Sequence, residues 1–266
     1  AEAGVTGGIF AVIEFDLNDV NDDGKVRISE IVANAQIDPR CIFDIHGEMG
    51  LFLEAFLSVD LFFFSIDKTW RFAEITLFEF DIVCPEPVLA SQDGAGVLTL
   101  HIGSHAGDRE EIDTNDSAET FVVSHLGGDK DSEMVEVQWG NYKQTYEGIT
   151  QISVPDAGSG DDWMDFRGVL VDVDVSGGVG NDTIYLSDGA GAVARGDEGD
   201  DLIVASSAAT ATGVVLYGGS GNDVFSPGTV AITIYGEGGA DVIPGTAEGD
   251  FLYGGDGEDS ISGGAG

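Results

Sequence analysis

Apolar residues alternate with other residues at the N-terminal end of the chain. Every second residue from position 9 to position 17 is apolar, in the series Ile9, Ala11, Ile13, Phe15 and Leu17. A period of two is typical of a β-strand, because successive side chains point to opposite faces of a sheet. We therefore predict a strand over residues 1–17.

The same period returns in residues 42–83, which are rich in Phe, Leu and Ile. Over residues 70–75 the two sets of side chains alternate strictly, which favours sheet over helix. Antiparallel strands fit this segment best.

Cys41 and Cys84 bracket this apolar segment and are the two cysteines of the chain. They form the one intramolecular pair that is available, so we predict a disulfide and an oxidising compartment. Two buried free thiols are the alternative, because cysteine packs well as a small hydrophobic residue.

The sequence Cys84-Pro-Glu-Pro-Val marks a domain boundary. Two prolines one residue apart favour an extended linker over a central strand. We assign residues 1–87 to a β-rich domain with one short helix over Ser29 to Gln36, which Asp38-Pro39 would end.

Residues 88–155 are predicted to be a region of short strands that leads into the C-terminal part. The strand patterns cover Val97 to Ile102, Thr120 to Ser124, Val135 to Trp139 and Ile149 to Val154. The acidic loop 108–119 is interpreted as a solvated surface, with a further ion site as the alternative.

A nine-residue unit recurs in residues 156–266 and follows Gly-Gly-x-Gly-x-Asp-x-U-x, where U is apolar. Its clearest copies begin at Gly177, Gly196, Gly218, Gly236 and Gly254. A weaker copy spans 157–165, with Asp162 and Met164 in the key places.

The spacing within the unit has a physical reason. Glycines at positions 1, 2 and 4 allow positive φ and turn backbone carbonyls inward, position 6 supplies a carboxylate, and position 8 points into the core. Oxygen ligands of this kind suit calcium. The predicted ligand residues are Asp162, Gly177, Gly178, Gly180, Asp182, Gly196, Glu198, Asp201, Gly218, Gly221, Asp223, Gly236, Gly238, Asp241, Gly254, Asp256 and Asp259.

These repeats resemble the RTX, or hemolysin-type, calcium-binding repeats of secreted bacterial proteins. The resemblance covers about the last 110 residues and implies an all-β chain that ends in a right-handed parallel β-roll. In that family six residues form a calcium-binding turn and three form a short strand. A Gly/Asp-rich loop region without metal is the alternative interpretation.

Two units make one coil of about 18 residues, so turns on one edge should stack at the strand spacing of about 4.8 Å. Counting in nines from Gly218 shows that only alternate units keep the full motif. One edge of the roll should therefore hold most of the calcium. The spacing between copies widens upstream, and the extra residues 205–213 are predicted to bulge on the metal-poor edge.

A second calcium loop is predicted at residues 19–30, which match the twelve-residue EF-hand loop. Gly24 would make the sharp turn. The segment before the loop is strand-like, so the resemblance is to one isolated EF-hand-like loop; an acidic surface turn is the alternative. The predicted ligands are Asp19, Asn21, Asp23, the Lys25 carbonyl and Glu30.

The chain carries 49 acidic and 10 basic residues, a formal net charge of -39, with an ordinary hydrophobic fraction of 42%. So many carboxylates in one folded body favour multivalent cations as partners. Nucleic acid is excluded as a partner because its phosphates need Lys and Arg. No apolar run is long enough for membrane insertion.

The sequence also lacks the usual catalytic motifs, including a zinc helix, a nucleophile elbow and a phosphate loop. His101 and His105 are four residues apart, but Gly103 and Gly107 argue against the helix that a zinc site would need. We therefore predict a protein that is not an enzyme.

The leading hypothesis is a secreted, extracellular calcium-binding structural protein whose folding depends on calcium. A filament, surface-layer or adhesin component fits best, with head-to-tail self-assembly or other extracellular surface proteins as partners. The alternative is the calcium-binding portion of a larger secreted RTX enzyme or cytotoxin.

Overall fold

The computed structural model describes residues 2–17, 43–61, 64–82, 88–109, 116–208 and 210–265. The chain divides into two compact units, Ala1–Pro85 and Glu86–Gly266. The predicted EF-hand-like loop 19–30, the helix predicted at 29–36 and both cysteines lie outside the described residues.

The first unit contains an antiparallel sheet of three long strands in the order β1-β2-β3. They span Glu2–Leu17, Phe43–Leu61 and Phe64–Ile82. Leu17 pairs with Phe43 at one end of the sheet, and Leu61 pairs with Phe64 at the other. The strand predicted for 1–17 and the antiparallel strands predicted for 42–83 are confirmed.

The second unit contains two sheets between which the chain passes back and forth. The eight-stranded sheet has the order β19-β17-β15-β13-β11-β9-β5-β4. Its strands are β4 Ala90–Gln92, β5 Val97–Leu100, β9 Gln151–Val154, β11 Asp172–Val179, β13 Val193–Glu198, β15 Val215–Ser220, β17 Thr233–Gly238 and β19 Phe251–Asp256.

The nine-stranded sheet has the order β20-β18-β16-β14-β12-β10-β6-β7-β8. Its strands are β6 Thr120–Asp129, β7 Ser132–Trp139, β8 Tyr142–Ile149, β10 Trp163–Asp165, β12 Thr183–Tyr185, β14 Leu202–Val204, β16 Val224–Ser226, β18 Val242–Pro244 and β20 Ser260–Ser262.

From β9 onward, every pairing between successive strands within each sheet is parallel. Thr183 pairs with Leu202 and Val242 pairs with Ser260, so equivalent positions recur after one coil of the chain. Residues 157–265 therefore form a parallel β-roll, which confirms the fold expected from the nonapeptide pattern.

The core of the roll lies between the two sheets. It is filled by the residues at position 8, which lie in the nine-stranded sheet, and by the inward-facing residues of the eight-stranded sheet. Ile184, Ile203, Phe225 and Ile243 are at most 2% exposed. Burying one such side chain contributes about 1.5–3 kcal/mol, so each coil adds its own share of core. Their partners across the core include Val175, Ala194, Leu216 and Ile234, which are all fully buried.

The strands that precede the repeats belong to the same two sheets. β5 and β9 extend the eight-stranded sheet in parallel, and β6 pairs in parallel with β10. β7 and β8 then continue the second sheet as antiparallel strands. We call residues 88–109 and 116–154 the cap, because they cover the first coil of the roll.

A short 3-10 helix, Gly103–Asp108, follows β5. It includes Gly103, His105 and Gly107 but not His101, so the two histidines do not share the helix that a zinc site would need. Within the described part of the chain, no helix has the length and apolar character needed to cross a bilayer.

Candidate calcium site

All copies of the nonapeptide motif lie on one edge of the roll. We call this the motif edge, where the chain crosses from the eight-stranded to the nine-stranded sheet. Its turns are 157–162, 177–182, 196–201, 218–223, 236–241 and 254–259. The return turns form the plain edge, at 166–171, 186–192, 205–214, 227–232 and 245–250. The prediction that alternate units share one edge is confirmed.

The aspartates at position 6 form a ladder along the motif edge. In each turn the backbone N–H of the aspartate donates to Oδ1 of the aspartate in the next turn, because the parallel strands stack equivalent residues. The N–O distances are 2.8 Å from Asp162 to Asp182, 2.8 Å from Asp182 to Asp201, 2.9 Å from Asp201 to Asp223, 2.9 Å from Asp223 to Asp241 and 3.1 Å from Asp241 to Asp259.

The second oxygen of these carboxylates, Oδ2, is buried and has no hydrogen-bond partner among the described residues. This holds for Asp162, Asp182, Asp201, Asp223 and Asp241. Those residues are at most 2% exposed. A buried carboxylate oxygen without a partner is costly, so five in one row call for a missing partner.

For Asp182, Asp201, Asp223 and Asp241, the space in front of Oδ2 is kept open by the glycine at position 1. An ideal Cβ on Gly196 would lie 2.0 Å from Oδ2 of Asp201 and 2.5 Å from the carbonyl oxygen of Gly218 in the next turn. The same pair of oxygens meets at Gly177, Gly218 and Gly236. Each cradle therefore brings together a carboxylate and a carbonyl oxygen from successive turns.

The electrostatics of the ladder favour a cation. Burial, with smaller contributions from neighbouring carboxylates, raises the pKa of Asp162 to about 8 and that of Asp223 to about 7. It raises the pKa of Asp182 and Asp201 to about 6. Charged carboxylates are thus disfavoured in these turns unless a positive charge joins them.

Calcium fits this donor set, since it accepts carboxylate and carbonyl oxygens in flexible geometry. Within the described ranges no three His, Cys, Asp or Glu side chains cluster as a metal site would require. Each turn contributes one carboxylate, so the remaining ligands of a bound ion would have to be backbone oxygens or water. When bound, calcium would neutralise the row of buried aspartates.

The glycines at position 4 hold successive turns in close contact. Gly180, Gly199, Gly221, Gly239 and Gly257 all have φ between 134° and 146°. A Cβ on Gly221 would lie 2.0 Å from the carbonyl oxygen of Gly199. This position therefore excludes any side chain, both by conformation and by contact.

The residues at position 3 link successive turns through their backbone carbonyls. The carbonyl oxygens of Glu198 and Asp256 accept the N–H of Gly180 and Gly239. The side chains of both acidic residues are exposed. The carbonyl of Gly238 accepts the N–H of Gly221 in the same way.

The turn that contains Asp162 differs from the others at position 1. Ala157 stands where the later turns have glycine, and it is fully buried. The glycines at this position in the later turns carry no methyl group.

Two features of the motif edge escape prediction from the sequence. Position 5 carries a second ladder, in which Asp161, Asn181, Asp200 and Asn222 each accept a backbone N–H from the next turn. Glu119 extends the aspartate ladder backward, since its N–H donates to Oδ1 of Asp162 at 2.7 Å. The sequence Glu119-Thr-Phe-Val resembles the end of the nonapeptide and could have revealed this.

The side chains of His101 and His105 contact different partners. The His101 ring contacts the Val88 carbonyl through Nδ1 at 2.9 Å, and His105 pairs with Asp108 at 3.0 Å. Each ring therefore has its own protein partner.

The fold and the site together define a parallel β-roll with a row of calcium-type turns on one edge. The family model of the RTX calcium-binding nonapeptide repeat matches residues 174–191, 214–229 and 235–266, in four copies. The C-terminal part of the chain therefore carries RTX repeats, which are typical of secreted calcium-binding proteins.

The match does not include the copy at Gly196 or the weak copy at 157–165. The aspartates of these two copies, Asp201 and Asp162, nevertheless lie in the same ladder. No curated protein and no solved structure matched the chain.

Proposed function

We propose that the chain is an extracellular structural protein whose β-roll folds when calcium fills the motif edge. The observation that carries this proposal is the row of five buried Oδ2 atoms without a hydrogen-bond partner in the described residues. A charge buried without compensation opposes folding, and an ion that binds only the folded state reverses that balance.

The repetitive architecture supports a structural role, as part of a filament, surface layer or adhesin. Both sheets continue from coil to coil, and strand pairing among the described residues joins each coil to its neighbours, an architecture that favours stiffness. Tyr217, Tyr235 and Tyr253 add a stack on one outer face, with ring centroids 5.0 and 4.8 Å apart.

The test is a calcium titration of the metal-free chain, followed by circular dichroism and light scattering, with magnesium as the control. Magnesium demands stricter octahedral geometry and should be a weaker substitute. A cooperative gain of β-signal with growth of particles would support calcium-driven assembly.

Two other outcomes decide against parts of the proposal. A gain of β-signal without growth would show that the roll is a monomeric module and that the assembly role is wrong. Unchanged spectra at millimolar calcium would refute the calcium dependence itself.

A further inference from the structure

The carboxylate ladder has a first step that differs from all later ones. Glu119 stands in the register of position 6, because its carbonyl accepts the N–H of Trp163 at 2.8 Å, as the Asp162 carbonyl accepts that of Thr183. Its own N–H donates to Asp162. The cap therefore supplies the first carboxylate of the ladder.

The Glu119 carboxylate already has a cationic partner. It forms an ion pair with Arg109, and the side chains of Glu119 and Arg109 are 3% and 0% exposed. Its second oxygen accepts the N–H of Gly103 at 3.1 Å. Arg109 is fixed in turn by the Ala106 carbonyl at 3.3 Å and by the ring of Trp139, whose centroid is 5.0 Å from its guanidinium carbon.

This arrangement contrasts with the following five steps, where one carboxylate oxygen lacks a partner in the described residues. Arginine stays charged under all ordinary conditions, so its compensation does not depend on an ion in solution. A buried pair with good hydrogen bonds is stable as a unit, whereas one uncompensated member is strongly destabilising.

We propose that Arg109 is a resident cation that takes the place of calcium at the first step of the ladder. The cap is thus folded before calcium arrives and serves as the template for the roll. This inference rests on the proposed calcium dependence of the later coils.

The cap is placed to act as a template in both sheets. Thr120–Val122 pairs with Trp163–Asp165 in one sheet, and Gln151–Val154 pairs with Asp172–Val175 in the other. A folded cap therefore offers the first coil two strand edges, and the backbone of Glu119 offers an N–H to the Asp162 carboxylate and a carbonyl to the Trp163 N–H. Growth onto a formed neighbour avoids the cost of starting a repeat structure anew.

Hydrogen exchange of the full chain, measured by mass spectrometry with calcium and with a chelator, tests the proposal. In the wild type with chelator, peptides from 97–102 and 120–154 should stay protected while peptides from 172–265 exchange freely. Arg109→Gln should speed exchange of the cap peptides roughly 100-fold in chelator, because it leaves Glu119 buried without its cation. Lys143→Gln, which breaks an exposed pair with Glu136, is the matched control and should change little.

A double variant separates charge from packing. Arg109→Gln with Glu119→Gln removes both charges and should restore most of the protection of the cap. If the double variant exchanges as fast as the single one, or if the wild-type cap is unprotected in chelator, the resident-cation proposal is wrong. If instead peptides from 172–265 gain no protection with calcium, the proposed function fails while the cap result still stands on its own.

Discussion

The two edges of the β-roll enclose one core but are closed by different chemistry. On the plain edge the carboxylates are satisfied within the chain: Oδ2 of Asp250 accepts the N–H of Thr246 at 2.6 Å, and Asp188 accepts the hydroxyl of Ser206. On the motif edge, Oδ2 of each buried aspartate has no such partner among the described residues.

The difference also appears in the lengths of the turns. The plain-edge turn 205–214 spans ten residues, whereas 227–232 and 245–250 span six each. Each motif-edge turn keeps six residues. An edge closed by its own hydrogen bonds tolerates insertions, but an edge that shares ions between successive turns needs every turn at the same height. Under the proposed calcium dependence, regular turn length is required on the motif edge but not on the plain edge.

Gly221→Ala should cause the largest loss of stability, because position 4 of the motif has no room for a side chain. The new Cβ would lie 2.0 Å from the Gly199 carbonyl at a φ of 134°, so we expect a loss of about 3 kcal/mol in stability with calcium present. Urea unfolding followed by circular dichroism measures this. Gly249→Ala on the plain edge is the control, since no atom lies within 4 Å of its Cβ. Equal losses in the two variants would contradict the difference between the edges.

Asp201→Asn tests whether the buried ladder binds the ion. We expect its calcium midpoint to rise at least about tenfold, because a charged ligand is lost from the cradle, while the metal-free roll becomes easier to fold. Asp200→Asn removes the same charge one residue away, where the side chain is exposed and accepts the N–H of Asn222. A calcium titration that shifts equally in both variants would indicate a general charge effect.

The pH dependence should reverse between the metal-free and the calcium-bound roll. Without calcium, the folded-state pKa of Asp162, Asp182, Asp201 and Asp223 lies at about 6 to 8, above the ordinary 3.8. Their contribution to stability is complete below about pH 4 and is lost as pH rises through about 6 to 8. With calcium, protons compete with the ion, so acid should raise the calcium midpoint.

Circular dichroism at about pH 5 and about pH 8 measures the pH dependence of the metal-free roll in chelator and of the calcium-bound roll in calcium. A metal-free roll that loses β-signal on acidification would show that the ladder is already compensated without an ion.

Much of the roll could be predicted from the sequence, because its signals are local and repeated. The spacing of Gly218, Asp223 and Phe225 sets a turn, a buried carboxylate and a core position within eight residues. Repetition then assigns all motif copies to one edge. The prediction that the insertion at 205–213 lies on the other edge is confirmed as well.

The cap could not be predicted in the same way, because its contacts join distant residues. Arg109 pairs with Glu119, and Glu133 accepts the N–H groups of Leu170 and Val171 from 37 and 38 residues away. Such pairings depend on how β6 and β7 lie against the first coil. The acidic loop 108–119 is predicted to be a solvated surface, yet its last residue is the buried first step of the ladder.

The smallest expected effect concerns position 2, where Glu237 and Asp197 adopt φ of 75° and 76° although most copies have glycine. A residue other than glycine is strained at positive φ, so Glu237→Gly should stabilise the calcium-bound roll by about 0.5 kcal/mol after the entropy of glycine is deducted. Asp197→Gly should gain less, because Asp197 accepts a hydrogen bond from the Ser176 hydroxyl. Urea unfolding at saturating calcium compares the two variants. If Glu237→Gly instead raises the calcium midpoint, the glutamate contributes to ion binding, and the strain at position 2 has a function on the motif edge.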